Sequence, residues 1–179
     1  MKIRAHDIKE KELVLAGDES IAEYPTLHAV EVVGECRFVK PLTVNLTVAR
    51  EYDHIRVHGN VVTSVSMGCS RCLGETVHDV TSAFTIFYSK DTGLRQDEEE
   101  VELAEEDLIS VTYEGDEIDF SSEIAEQVLL AIPFKPLCRE DCRGLCGNCG
   151  MDLNVAECGC DQQGINLKFS ALKNFKAEK

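Results

Sequence analysis

Along residues 27–88, apolar and polar side chains alternate in short runs rich in β-branched and aromatic residues. Val30, Val32 and Val33 begin the series, followed by residues 43–49, 55–57, 61–67 and 84–88. A period of two puts successive side chains on opposite faces, so each run reads as a half-buried strand. Gly34-Glu35, Lys40-Pro41, His58-Gly59-Asn60 and Leu73-Gly74-Glu75 interrupt the runs as turn candidates. Segments about ten residues apart predict an antiparallel meander, rolled into a sandwich or a partly open barrel. Leu13 to Leu15 reads as a further strand, or the first 20 residues wrap the barrel.

The period changes after residue 120. Ala125, Val128, Leu129 and Ile132 fall at i, i+3, i+4 and i+7, the apolar face of one helix. Ser121 or Ser122 is placed to cap it, and Pro133 and Pro136 end it. Residues 165–175 predict a short terminal helix, and no repeat of solenoid period is present. The predicted class is α+β: an antiparallel β barrel or sandwich, one main helix, and a C-terminal Cys-rich module folded around metal. Residues 1–95 form the mainly antiparallel β domain, 96–134 an acidic loop and helix, and 135–179 the Cys-rich module and tail.

Composition adds the setting. Hydrophobic content of 44% and charged content of 28% are those of a globular chain. The longest apolar stretch, residues 128–134, falls far short of the roughly 20 residues that span a bilayer. The polar N-terminus lacks the apolar core of a signal peptide, which predicts a cytoplasmic protein with no membrane partner. The net charge of -15 is unevenly spread, with 14 acidic and no basic residues in 96–134. The flanking regions are nearly neutral, so total charge says little about what they bind. Residues 96–107 read most simply as a solvated loop, and more sharply as a binding tail.

In a reducing compartment, nine cysteines point to metal or redox chemistry rather than to structural disulfides. Cys69 and Cys72 form a C-x2-C pair between two predicted strands, as do Cys146 and Cys149 within a glycine-rich stretch. Two intervening residues let one tight turn aim both sulfurs at a metal. Cys138 with Cys142, and Cys158 with Cys160, are further close pairs, so the arithmetic allows two four-thiolate sites holding one or two zinc ions. One pairing closes Cys146, Cys149, Cys158 and Cys160 locally and leaves Cys69 and Cys72 with Cys138 and Cys142. The other joins Cys138 and Cys142 to Cys146 and Cys149. The first is preferred because a short loop closes at low entropic cost. Iron suits the same ligands, and a redox dithiol is the remaining use of C-x2-C, but Cys69 does not open a helix after a strand. Cys36 has no sequence partner and reads as a small buried hydrophobe.

An ordered set of motifs runs from residue 69 to 173: Cys69-x-Arg71-Cys72-Leu73, then Glu117-Ile118-Asp119-Phe120, then Pro133-x-x-Pro136-Leu137-Cys138. Cys142-x-Gly144-Leu145-Cys146-x-x-Cys149-Gly150-x-x-Leu153-Asn154 and a terminal Ala171-Leu172-Lys173 complete it. This set resembles the YceD-like family, the large ribosomal RNA subunit accumulation proteins. The resemblance implies a non-enzymatic, metal-binding factor supporting accumulation or processing of large-subunit ribosomal RNA, with that RNA or a ribosomal protein as partner. In the family the C-x-R-C pair looks more general than the Cys-rich tail, as suits a site that holds the fold. This chain departs where Asp161-Gln-Gln-Gly replaces the family's usual Asp-Pro-Arg type segment, so no role for a basic residue there carries over.

Arg50, Tyr52, His54, Arg56 and His58 alternate along one predicted strand, which offers either a phosphate-and-stacking surface for RNA or an ordinary solvent face. Arg71, Arg139 and Arg143, with Lys135, cluster around the cysteines, to contact RNA or to offset thiolate charge. No G-x-S-x-G, P-loop, dinucleotide or H-E-x-x-H motif is present, and four thiolates close a zinc that catalysis would need open. The expectation is a non-enzymatic ribosome-assembly factor. A thiol redox sensor with releasable zinc and a hydrolytic metalloenzyme are the alternatives from other classes.

Overall fold

The computed structural model describes residues 1–9, 11–52, 54–90 and 110–160. Its centre is a long antiparallel hairpin of β5 (His54–Gly68) and β6 (Glu75–Lys90), paired from His54↔Ser89 to Gly68↔Glu75. On one side β4 (Leu42–Glu51) pairs with β5, and β2 (Leu13–Glu19) pairs with β4. The two-residue β3 (Arg37–Phe38) takes up β5 beyond the end of β4. On the other side β7 (Ser110–Tyr113) runs parallel to the end of β6. A separate pair joins β1 (Lys2–Arg4) to β8 (Glu117–Asp119).

Alternation along these strands builds the core. Leu42, Val44, Leu46 and Val48 of β4, Ile55, Val57, Val61 and Val65 of β5, and Val80, Phe84, Ile86 and Tyr88 of β6 are buried. Helices α1 (Pro25–Val33) and α2 (Ser121–Ala131) cover them, through Leu27 and through Ile124, Ala125 and Val128. Ile3, Ile118 and Phe120 join the same cluster, and Phe120 meets Tyr88 edge to face at 5.4 Å. Among the described residues, no helix is long and apolar enough to cross a membrane.

The architecture differs from the sequence expectation at several points. The sheet is open, with β2 and β7 at its edges, so no barrel forms. It is not a pure meander, because β7 is parallel. There are two α-helices among the described residues: Val30, Val32 and Val33 lie in α1, not in a strand. Local signals override their β preference. Pro25 occupies the first helical turn and Gly34 ends the helix with φ of 84°, while a Ser20–Glu23 capping box starts the separate 3-10 turn Ile21–Glu23 just before it.

His58-Gly59-Asn60 is no turn but the middle of β5. A Cβ at Gly59 would lie 2.2 Å from Phe84 Cζ. The ring of Phe84, its cross-strand partner, therefore occupies the space that a side chain would fill. The chain reverses instead near Tyr52, with φ of 54°. Neither Ser121 nor Ser122 caps α2; Asp119 Oδ1 accepts hydrogen bonds from Ser121 N at 3.0 Å and Ser121 Oγ at 2.6 Å. The acidic run 96–107 and the tail 165–175 lie outside the described residues.

Candidate metal centres

The β5–β6 connection shapes the first centre. Cys69 N donates to Gly74 O at 2.8 Å and Leu73 N to Cys69 O at 2.9 Å, with Leu73 at φ of 61°. This tight reversal brings Cys69 and Cys72 onto one side. The chain leaving α2 docks there, with Ser70 N donating to Pro136 O at 2.8 Å, and delivers Cys138 and Cys142. The four sulfurs lie within 4.8 Å of one another. Cys69 Sγ is 3.8 Å from Cys142 Sγ, and Cys72 Sγ is 3.7 Å from Cys138 Sγ.

Those separations test whether a metal fits. Zinc–sulfur bonds of about 2.3 Å in a tetrahedron put the sulfurs ~3.8 Å apart. The donors are also of one soft kind, as zinc or iron prefers. Cys69 and Cys142 are buried, whereas Cys138 is exposed, so the centre sits at the module's surface with its base in the fold.

The second centre is local. Cys146 N donates to Met151 O at 2.8 Å and Gly150 N to Cys146 O at 2.9 Å, closing the turn that holds Cys146 and Cys149. Leu145 bridges to Asp152, and Cys158 and Cys160 complete a second set of four sulfurs within 4.8 Å. A close approach ties this loop to the first centre. Gly144, at φ of 74°, would put a Cβ 2.9 Å from Arg71 O, while Leu145 N donates to that oxygen at 3.1 Å.

Each set has an electrostatic problem that a cation solves. Backbone amides of Cys72, Cys138 and Arg71 bring the Cys69 thiol down to about 6, and those of Cys149 and Asn148 bring Cys146 down to about 6. Further thiolates beside these are resisted. The hydrogen bond to Cys142 and burial push Cys138 up to about 12, and that to Cys149 with burial pushes Cys160 up to about 12. A dication among the four sulfurs removes the resistance. The residues present fit a four-thiolate metal, and a closed set offers structure rather than an open coordination position. Cys36, outside both sets, is buried, and burial pushes its thiol up.

Of the residues singled out for RNA, His54, Arg56 and His58 alternate along β5 as expected, whereas Arg50 lies before the reversal and Tyr52 at it. Arg50 ends β4 and donates to Ala5 O at 2.9 Å and Ile8 O at 3.2 Å, pinning the N-terminal segment. Tyr52 stands 99% exposed at the reversal, and Arg56 in β5 pairs with Glu51 at 2.7 Å. Arg71 reaches Cys142 O at 2.8 Å and Glu140 O at 3.3 Å across the first centre. Arg139 bonds Asn154 Oδ1 at 2.8 Å and pairs with Asp141 at 3.3 Å, and Arg143 pairs with Glu157 at 3.9 Å. Sequence reasoning passed over Asn154 as a motif letter, yet it lies between the two centres. Its place directly after the second knuckle, in Leu153-Asn154, was the available signal.

An open β-sheet scaffold carrying a C-terminal module built on two four-cysteine sets is the class these features define. Residues 57–176 match the family described as large ribosomal RNA subunit accumulation protein YceD, and the chain belongs to that family. It is 28% identical over 158 residues to the chloroplastic large ribosomal RNA subunit accumulation protein YCED homolog 1 of Arabidopsis thaliana, covering 77% of this chain and 49% of that one. The Zea mays homolog 1 is 24% identical, covering 70% and 50%. An uncharacterized protein of Mycobacterium leprae is 30% identical over 141 residues, covering 76% and 60%. The chain thus spans about half the length of the plant relatives it matches. No solved structure matches it.

Proposed function

We propose that this protein is a non-enzymatic, zinc-stabilised factor supporting accumulation of large-subunit ribosomal RNA in the cytoplasm, acting through a basic ribosomal protein. The carrying observation is the pair of closed four-cysteine sets on a sheet scaffold, in a chain of the YceD family. Four cysteines in each set leave no coordination position for substrate, which favours scaffolding over catalysis. Two observations favour a protein partner over direct RNA binding. Residues 96–134 carry 14 acidic and no basic side chains, and such a segment suits a basic surface. Arg71, Arg139 and Arg143 are engaged in holding the cysteine loops.

Cells lacking the protein should accumulate less large-subunit ribosomal RNA relative to small-subunit RNA. The wild-type chain should restore the ratio, and a Cys69→Ser, Cys72→Ser chain should not. An unchanged ratio on deletion would overturn the reading. Crosslinking during assembly should recover a basic ribosomal protein; recovery of RNA alone would replace the protein partner with direct RNA contact.

A further inference from the structure

We propose that Asn154 is a positioning residue that couples the two four-cysteine centres, so that metal in the local centre tightens metal binding at the long-range one. Asn154 belongs by sequence to the local loop, between Cys149 and Cys158, yet its side chain serves a ligand of the other centre. Asn154 Nδ2 donates to Cys142 Sγ at 3.5 Å and to Asp152 Oδ1 at 2.7 Å. Asn154 Oδ1 accepts from Arg143 N at 2.7 Å and from Arg139 Nη2 at 2.8 Å.

An amide has two donor hydrogens and an oxygen with two acceptor sites, and here all four are used. The arrangement also fixes which end is nitrogen. Asp152 Oδ1 can only accept, and the Arg139 and Arg143 groups can only donate, so a flipped amide would face like against like.

The coupling follows from what orders the loop. The residue lies within the stretch that closes when Cys146, Cys149, Cys158 and Cys160 gather. Its neighbour Leu153 N donates to Gly144 O at 2.9 Å, two residues from Cys142 and two from Cys146. With the local set open, the loop is a free segment and its amide must be ordered before it reaches Cys142. With the set closed, the donor is already in place. A hydrogen bond to a ligating sulfur fixes its direction, and loss of such a partner typically costs 10–100-fold in metal affinity. Linkage makes the effect reciprocal: metal at the long-range centre tightens the local one by the same factor.

This rests on the reading that both sets bind metal, and the test separates the two. The full-length reduced chain is loaded with cadmium-113, whose resonance is sensitive to each sulfur's hydrogen bonding. Two resonances are expected in the wild type. Asn154→Ala should shift the resonance lost in a Cys72→Ser control more than the one lost in Cys149→Ser, and weaken that centre 10–100-fold. Cys149→Ser should weaken the remaining centre similarly. The double variant should be no weaker than the worse single one. Asn154→Asp keeps the two accepted bonds but loses the donor to sulfur, so it should weaken the long-range centre like alanine. Wild-type affinity in Asn154→Asp, or losses that multiply in the double variant, would overturn the coupling while leaving the metal centres standing. No cadmium resonance in the wild type would overturn both.

Discussion

The sheet and the cysteine module solve the same problem with different chemistry. In the sheet, Leu42, Val44, Val48 and Val65 are fully buried, and α1 and α2 close over them. In residues 135–160 the buried positions are Pro136, Cys142, Gly144 and Cys146, without a single buried Leu, Ile, Val or Phe. The first region folds by removing hydrocarbon from water. The second has no hydrocarbon core to remove, and a segment so small needs a metal or a crosslink to hold one conformation. One chain therefore contains a part with its own apolar core and a part whose two four-cysteine sets could hold metal in its place.

The largest test of that contrast is metal removal. Stripping metal with a chelator under reducing conditions should abolish amide protection across residues 138–160, because structural zinc contributes roughly 10 kcal/mol or more of folding free energy. Cys146→Ser should do the same to residues 146–160. Hydrogen exchange would follow both regions at once, with β4 to β6 expected to stay protected. A module that keeps its protection without metal would erase the distinction.

A second, smaller effect probes the sheet alone. Gly59→Ala forces Phe84 out of its place, and overpacking of this kind costs ~1–3 kcal/mol. Thermal unfolding should move down while metal content stays the same. A lowered metal content would mean that the two regions are more tightly joined than their cores suggest.

The smallest effect also lies on the sheet side of the comparison, at the start of α2. Asp119 accepts hydrogen bonds from Ser121 N and Oγ and pairs with Lys2 at 3.4 Å. Burial pushes its carboxyl up, but the bonds from Ser121 and Lys2 outweigh it and hold the group below the ordinary aspartate value. A depressed folded value means the stabilisation is present above the unfolded aspartate range and is lost as pH falls through the folded value. Asp119→Asn keeps the acceptor oxygen and removes only the charge, which pairs with an exposed Lys2, so it should lower the unfolding temperature only slightly at neutral pH. The difference from wild type should vanish in acid; a difference that persists there would show that charge is not its source.

The two regions also differed in how much could be read before the structure. Cys69-x-x-Cys72 and Cys146-x-x-Cys149 announce paired ligands because a tight turn is a local matter. Alternation in β4 and in the two halves of β5 was legible for the same reason. Reading failed where a local cue was outvoted. Gly59 looks like a turn until Phe84, 25 residues away in sequence, covers it. The three valines of α1 look like a strand until Pro25 at its start and Gly34 at its end set the bounds of a helix. The strand face proposed for RNA was longer than the strand: Arg50 lies before the reversal in β4 and only His54, Arg56 and His58 share β5.

By itself, then, the sequence determined the kinds of parts: apolar alternation that must be buried in strands, an amphipathic helix, and soft ligands in pairs. These follow from neighbours only a few positions apart, whose geometry the backbone imposes. Only the tertiary structure decided which pairs share a centre, that the sheet stays open, and that Asn154 reaches across from one centre to the other. Those outcomes depend on residues far apart in the chain, and their proximity comes from packing rather than from spacing.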